Sequence, residues 1–214
     1  MRLTQLFILC LSCSINFSSW ATNERLTLLV YGDSLSASYG IAEEQGWVNL
    51  LQIKLLSEGL AVNVVNGSVS GETTTGGLAR LPAMLASYQP DVLILELGGN
   101  DGLRGLPLSL MRENLASMID LAKANGAEVI LAGIQIPPNY GPRYTTPFFE
   151  TYASLAEQKS LPLVPFLIEG IVQLPELMQN DGIHPRAEAQ SMILDNVWPI
   201  LEPQLEGLLK KLAN

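Results

Sequence analysis

The chain has 214 residues, 48% hydrophobic and 15% charged, with a formal net charge of -9 and two cysteines. That length is one domain's worth and supports a sizeable core. Its acids are scattered and no basic stripe offsets them, which excludes a phosphate backbone, and so a nucleic acid, as partner.

Residues 1–21 carry the marks of an export signal. Met1-Arg2 supplies one positive charge, Leu3 to Leu11 is largely apolar, and Ser19-Trp20-Ala21 has the small-x-small spacing of a signal-peptidase site. The apolar run is too short to span a bilayer permanently. Cleavage after Ala21 is the main expectation; lipidation at Cys13 and retention as an uncleaved anchor are its alternatives. Cleavage predicts a periplasmic or secreted protein, residues 22–214 as a single domain, with no stable membrane span. It removes Cys10 and Cys13, the only cysteines, leaving neither disulfide nor thiol chemistry. It also removes Arg2 and no acid, which takes the charge from -9 to -10.

Leu28-Leu29-Val30-Tyr31 reads as a strand buried on both faces, ending in Gly32-Asp33-Ser34. Gly32 permits a close turn, and Ser34 falls on a strand-to-helix turn, at the edge where open α/β sheets hold ligands. There its hydroxyl can face a cleft while its N–H lies at the positive end of a helix. The plainer use of such a serine is to cap that helix. Helical spacing of apolar residues follows from Gly46 to Leu56, with Gly59 as its stop. Residues 61–66 read as a second strand closing at Gly67-Ser68. A helix capped by Thr73 or Thr74 then runs to Tyr88, where Pro90-Asp91 ends it.

Val92 to Leu97 is the most strand-like run of the chain, and it ends in Gly98-Gly99-Asn100-Asp101-Gly102. A helix is expected from about Leu108 to Asn125, stopped by Gly126, and a fourth strand over residues 128–132. Gln135 to Pro147 reads as a Pro/Tyr-rich loop, Phe148 to Lys159 as a helix, and Leu163 to Leu167 as a fifth strand. Pro165 is tolerable there only near an edge or an end. After Asn180-Asp181-Gly182-Ile183-His184-Pro185 a closing helix begins at Arg186, which Pro199 and Pro203 should break or kink. Alternating strands and helices imply βαβ units: an α/β protein with a mainly parallel sheet covered on both faces. Every polar or glycine-rich cluster follows a strand, so the clusters gather at one sheet edge.

A nucleophilic Ser34 needs a base, and His184 is the one histidine in the chain. Asp181, three residues earlier, can orient one ring nitrogen while the other faces Ser34 Oγ. An ordinary surface or capping histidine is the competing reading. The oxyanion of an acyl transfer would find donors in the Ser34 and Gly71 backbone N–H groups and the Asn100 side-chain amide. A turn glycine and an Asx-turn are the plainer readings of Gly71 and Asn100. Leu103, Leu106, Ile136, Pro137, Pro138, Tyr140 and Tyr144 fall in loops after strands and are candidates for an acyl groove; packing those loops on the sheet is the alternative. No His/Cys cluster and no P-loop lysine is present, so neither a metal nor any other cofactor is expected.

The four blocks Gly32-Asp33-Ser34, Gly71, Gly98-Gly99-Asn100-Asp101 and Asp181-Gly182-Ile183-His184-Pro185 resemble, in order, those of the GDSL/SGNH hydrolases. Residues 30–37, 96–105 and 139–144 are similar to the family's periplasmic multifunctional thioesterases and lysophospholipases. The resemblance implies a flavodoxin-like three-layer α/β/α fold with a five-stranded sheet. It also implies a Ser34–His184–Asp181 triad and an oxyanion hole from Ser34, Gly71 and Asn100. The expected activity is hydrolysis of small-molecule aryl esters, acyl thioesters and lysophospholipids by a monomer, through a Ser34 acyl-enzyme. A carbohydrate O-deacetylase on the same framework and a non-catalytic acyl-ligand-binding protein are the alternatives. Since a histidine base must be neutral, activity should fall below about pH 6–7.

Overall fold

The computed structural model describes residues 25–212, so the expected export signal over residues 1–21 and Cys13 lie outside the described residues. Five parallel strands form one sheet: β1 (Leu26–Gly32), β2 (Val62–Asn66), β3 (Val92–Glu96), β4 (Glu128–Ala132) and β5 (Leu163–Val164), in the order β2-β1-β3-β4-β5. That is the flavodoxin-like order, which reverses direction between β1 and β3. Leu28, Leu29, Val30 and Tyr31 are fully buried, because β1 pairs on both edges and is covered on both faces.

Successive strand residues serve opposite layers. Leu28, Val30, Val92, Ile94 and Ile130 pack with α1 (Trp47–Ser57) and α6 (Gln190–Leu212). Leu29, Tyr31, Leu93, Leu95 and Leu131 pack with α2 (Thr74–Tyr88), α4 (Leu108–Ala124) and α5 (Pro142–Lys159). The period of two in the strands thus makes three layers with two apolar clusters, as the sequence predicts. Among the described residues no helix is long and apolar enough to cross a membrane.

Four local expectations need correction. No α-helix follows Ser34 directly; after a 3-10 turn at Glu43–Gln45 the next α-helix starts at Trp47, thirteen residues on. Ser34 is therefore not its cap; it opens a single turn closed by Ala37 N–H to Asp33 O. Within the Gly98 block a short helix, α3 (Gly99–Leu103), adds to the expected elements. The α5 helix begins at Pro142, not Phe148, because Gly141 (φ 80) caps it and Pro142 suits a first turn. The β5 strand is an edge strand cut to two residues by Pro165, which has no N–H to continue the ladder.

Lastly, α6 starts at Gln190, after a 3-10 turn at Ala187–Ala189, and runs through both prolines to Leu212. Its buried stripe is Ile193, Val197, Leu201 and Leu205, whereas Pro199 and Pro203 face water, where the carbonyls they orphan can be hydrated. Pro82 in α2 and Pro147 in α5 are exposed in the same way.

Candidate active site

Ser34 leaves β1 at the carboxyl edge, beside the β1/β3 reversal, where this topology opens a crevice. Its turn is built by Asp33. One carboxylate oxygen of Asp33 accepts from Leu35 N–H (3.0 Å), and its carbonyl accepts from Ala37 N–H (3.0 Å). Gly32 is needed because a Cβ there would lie 2.3 Å from Glu96 Oε2. The Glu96 carboxyl accepts from Asp33 N–H (3.1 Å) and from Ser36 Oγ–H (2.7 Å), so the last residue of β3 braces the turn from below.

His184 reaches the same point from the loop before α6. Its Nε2 lies 2.8 Å from Ser34 Oγ and its Nδ1 lies 2.7 Å from Asp181 Oδ2. Asp181 Oδ1 accepts from Ile183 N–H (2.9 Å) and His184 N–H (3.0 Å), which fixes the short turn that Gly182 allows at φ 67. Burial pushes the Asp181 carboxyl up, but the His184 side chain and the two N–H donors outweigh it and hold it at about 2. Asp181 is thus an anion wherever His184 can act as a base.

The three candidate oxyanion donors arrive on three segments. Neither Ser34 N–H nor Gly71 N–H has an acceptor among the described residues. The segment carrying Gly71 extends the β2–β1 pairing, through Gly67 N–H to Val30 O (2.8 Å) and Val69 N–H to Gly32 O (3.0 Å). It is pinned further by Thr74, whose N–H and hydroxyl both donate to the buried Asp101 carboxylate. Asn100 Nδ2 donates to Asp33 Oδ2 (3.1 Å), leaving its second N–H free to point at a ligand. Gly98 makes this return possible: its φ is 120, and Tyr152 Oη sits 2.4 Å from where a Cβ would be. Burial keeps that phenol protonated, far above its ordinary range, and it donates to Leu97 O (3.0 Å).

Asp33 and Glu96 are both buried and stand within one hydrogen-bonded cluster under the serine. Burial pushes both carboxyls up, Glu96 further because the Asp33 charge adds to it. Glu96 Oε1 meets no donor among the described residues, as suits a carboxyl that keeps its proton.

A cavity of about 280 Å³ opens beside Ser34 and Asn100. Its walls are Leu35 on the serine turn, Leu103 at the end of α3, Ile134 to Pro138 after β4, Phe166, Ile168 and Val172 after β5, and Ile183 beside His184. Of the sequence candidates, Leu103, Ile136, Pro137 and Pro138 are in this wall. Leu106, Tyr140, Tyr144 and Gly71 are not. The two tyrosines are clasps: Tyr140 Oη donates to Leu103 O (2.8 Å) and Tyr144 Oη to Leu106 O (2.9 Å), tying the α5 start to the α3–α4 link. Sequence reasoning missed Leu35, Ile134, Phe166, Ile168, Val172 and Ile183. The signal was available in their position just beyond strands or beside the Gly32-Asp33-Ser34 and Asp181-to-His184 blocks. The buried acids Glu96 and Asp101 were missed too; Asp101 stands within a glycine-rich block and Glu96 two residues before it.

Comparison with known proteins identifies the family to which the chain belongs. Residues 30–191 match the GDSL-like Lipase/Acylhydrolase family. The esterase TesA of Pseudomonas aeruginosa is 54% identical over 179 residues, covering 84% of this chain and 89% of that protein. The thioesterase 1/protease 1/lysophospholipase L1 of Escherichia coli K12 is 44% identical over 177 residues, covering 83% and 84%. Among solved structures, the psychrotrophic esterase EstA of a Pseudoalteromonas species, inhibited by monoethylphosphonate, superposes with a TM-score of 0.81 at 42% identity, covering 84% of this chain and 98% of that one. The chain belongs to the GDSL-like lipase/acylhydrolase family and is an ester/thioester hydrolase.

Proposed function

We propose that the protein is an exported serine acyl hydrolase that cleaves apolar acyl esters, thioesters and lysophospholipids through a Ser34 acyl-enzyme. The observation that carries this is the unbroken line from Asp181 Oδ2 through the His184 ring to Ser34 Oγ (2.7 and 2.8 Å), ending beside an apolar cavity. His184 Nε2 takes the hydroxyl proton as Ser34 Oγ bonds to the acyl carbon, and Asp181 stabilises the resulting imidazolium. The carbonyl oxygen becomes an oxyanion received by Ser34 N–H, Gly71 N–H and Asn100 Nδ2, each worth about 3 kcal/mol of barrier. His184 then returns the proton to the departing alkoxide or thiolate. Water, deprotonated by His184 in turn, releases the acid.

The acyl chain lies among Leu103, Ile136, Ile168 and Val172. That apolar wall favours fatty acyl groups over acetylated sugars, and it sets the carbohydrate O-deacetylase second. The N-terminal export signal supports a periplasmic or secreted place of work, with residues 22–214 as one mature domain acting as a monomer. The test compares kcat/KM of mature protein and Ser34→Ala on oxygen esters and thioesters from acetyl to palmitoyl, with labelling by an alkylphosphonate. Ser34-dependent rates rising with chain length, and a phosphonate adduct on Ser34, are expected. Turnover of acetyl esters alone favours the deacetylase; unlabelled Ser34 with no turnover refutes the hydrolase.

A further inference from the structure

Among the described residues, the aromatic ring packed against His184 is that of Tyr39, and neither the triad nor the cavity accounts for it. The ring centroids of Tyr39 and His184 are 4.4 Å apart, with an interplanar angle of 39°. Tyr39 is nevertheless 50% exposed, so burial of its own surface does not explain its position.

The backbone is bent to put it there. Ser38 (φ 56) and Gly40 (φ 75) flank it, and both adopt left-handed conformations, which is unfavourable for the serine. A Cβ on Gly40 would lie 2.2 Å from Gln179 Oε1, so a larger residue there must displace that amide and adopt a left-handed backbone. Gln179 in turn clamps the two segments together. Its Nε2 donates to Tyr39 O (2.8 Å) and Pro185 O (3.1 Å), while its backbone N–H donates to His184 O (2.8 Å). The tyrosine backbone and the histidine backbone are therefore held by one residue.

We propose that Tyr39 is a positioning residue for His184, holding the imidazole in line between Asp181 and Ser34 and stabilising the imidazolium with its π face. The inference rests on the Ser34–His184–Asp181 reading. When the Ser34 Oγ proton moves to Nε2, the ring gains a positive charge within cation–π range of an electron-rich face. The other groups facing that charge are Asp181 on the same loop and the buried Asp33 below Ser34. Arg186 and Glu188 line the surface depression shared by Tyr39 and Asp181, and the Arg186 guanidinium is engaged by Met178 O and Asn180 Oδ1.

The test is the pH dependence of kcat and kcat/KM for wild type, Tyr39→Phe and Tyr39→Leu on one medium-chain ester. Phenylalanine keeps the π face; leucine keeps apolar bulk without it. Tyr39→Phe should match wild type. Tyr39→Leu should lower kcat about two- to fivefold with KM unchanged, and move the acid limb of kcat/KM down by about half a pH unit. Wild-type kcat or an unmoved acid limb in Tyr39→Leu overturns the inference. So does Tyr39→Phe falling together with Tyr39→Leu. Each of these leaves the hydrolase reading intact, whereas absence of Ser34-dependent turnover in wild type overturns both.

Discussion

Replacing Glu96 by glutamine should stabilise the protein, increasingly so as pH rises. Burial and the neighbouring Asp33 raise the Glu96 carboxyl well above its ordinary value in the fold. Above that ordinary value the unfolded chain releases the proton while the folded one retains it. The unfolded state then binds fewer protons, so stability is lost with rising pH, by up to about 1.4 kcal/mol per pH unit until Glu96 ionises in the fold. Glutamine keeps an acceptor for Asp33 N–H and Ser36 Oγ–H and has nothing to ionise. For a chain of this size about 1 kcal/mol moves Tm by roughly 2–4 °C, so the gap between Glu96→Gln and wild type should widen by at most about 3–6 °C per pH unit above pH 5. Glu96→Ala instead leaves two buried donors unpaired, at about 1–3 kcal/mol each, and should melt roughly 10 °C below wild type. Calorimetric melts from pH 5 to 8 distinguish the cases. A Glu96→Gln protein that melts with Glu96→Ala, or whose gap from wild type ignores pH, refutes a neutral Glu96.

Other outcomes follow from the same geometry. Asp181→Asn removes the anion that fixes the His184 tautomer and should cut kcat by about 10³–10⁴ with an unchanged fold, read from ester kinetics and circular dichroism. Because Asp181 is depressed to about 2, its support of His184 is complete above the ordinary carboxylate range and fades only as pH falls through about 2. The acid limb of wild-type kcat/KM should therefore lie well above that value; activity persisting unchanged to pH 4 would remove His184 as base. Gly98→Ala must displace the Tyr152 hydroxyl 2.4 Å away and hold alanine at φ 120, so it should lower both Tm and kcat by misplacing Asn100. Ile168→Asp should abolish the rise in kcat/KM with acyl length, about fourfold per methylene at roughly 0.8 kcal/mol each, whereas Leu106→Asp should leave that rise in place. The reverse pattern in an ester chain-length series would relocate the acyl chain.

The layers and the edge that carries the chemistry were legible because strand burial leaves a local mark. Leu28 to Tyr31 and Val92 to Leu97 have no polar alternation, and the blocks following them had nowhere to go except one rim. What the sequence did not disclose is where helices begin and survive. Pro147 reads as the end of a loop and Pro199 and Pro203 as breakers, yet each faces water within a helix, and the exposure of one side of a helix is settled by its neighbours. The cavity wall was half legible for a related reason. Loop membership identified Leu103 and Ile136, but whether Tyr140 and Tyr144 face substrate or clasp a carbonyl depends on where the α3–α4 link passes.

The buried acids show how the edge that carries the proposed site constrains its own fold. Asn100 can offer an N–H to an oxyanion only if its amide is already held, and Asp33 Oδ2 holds it. Asp33 in turn needs a turn whose N–H is engaged from below, which Glu96 supplies. Two carboxyls in one dry cluster oppose each other's ionisation, so keeping the donors aligned leaves the pair a destabilising element at neutral pH. Removing the second ionisable group while retaining its acceptor should separate those two effects: stability rises, and the donor geometry stays.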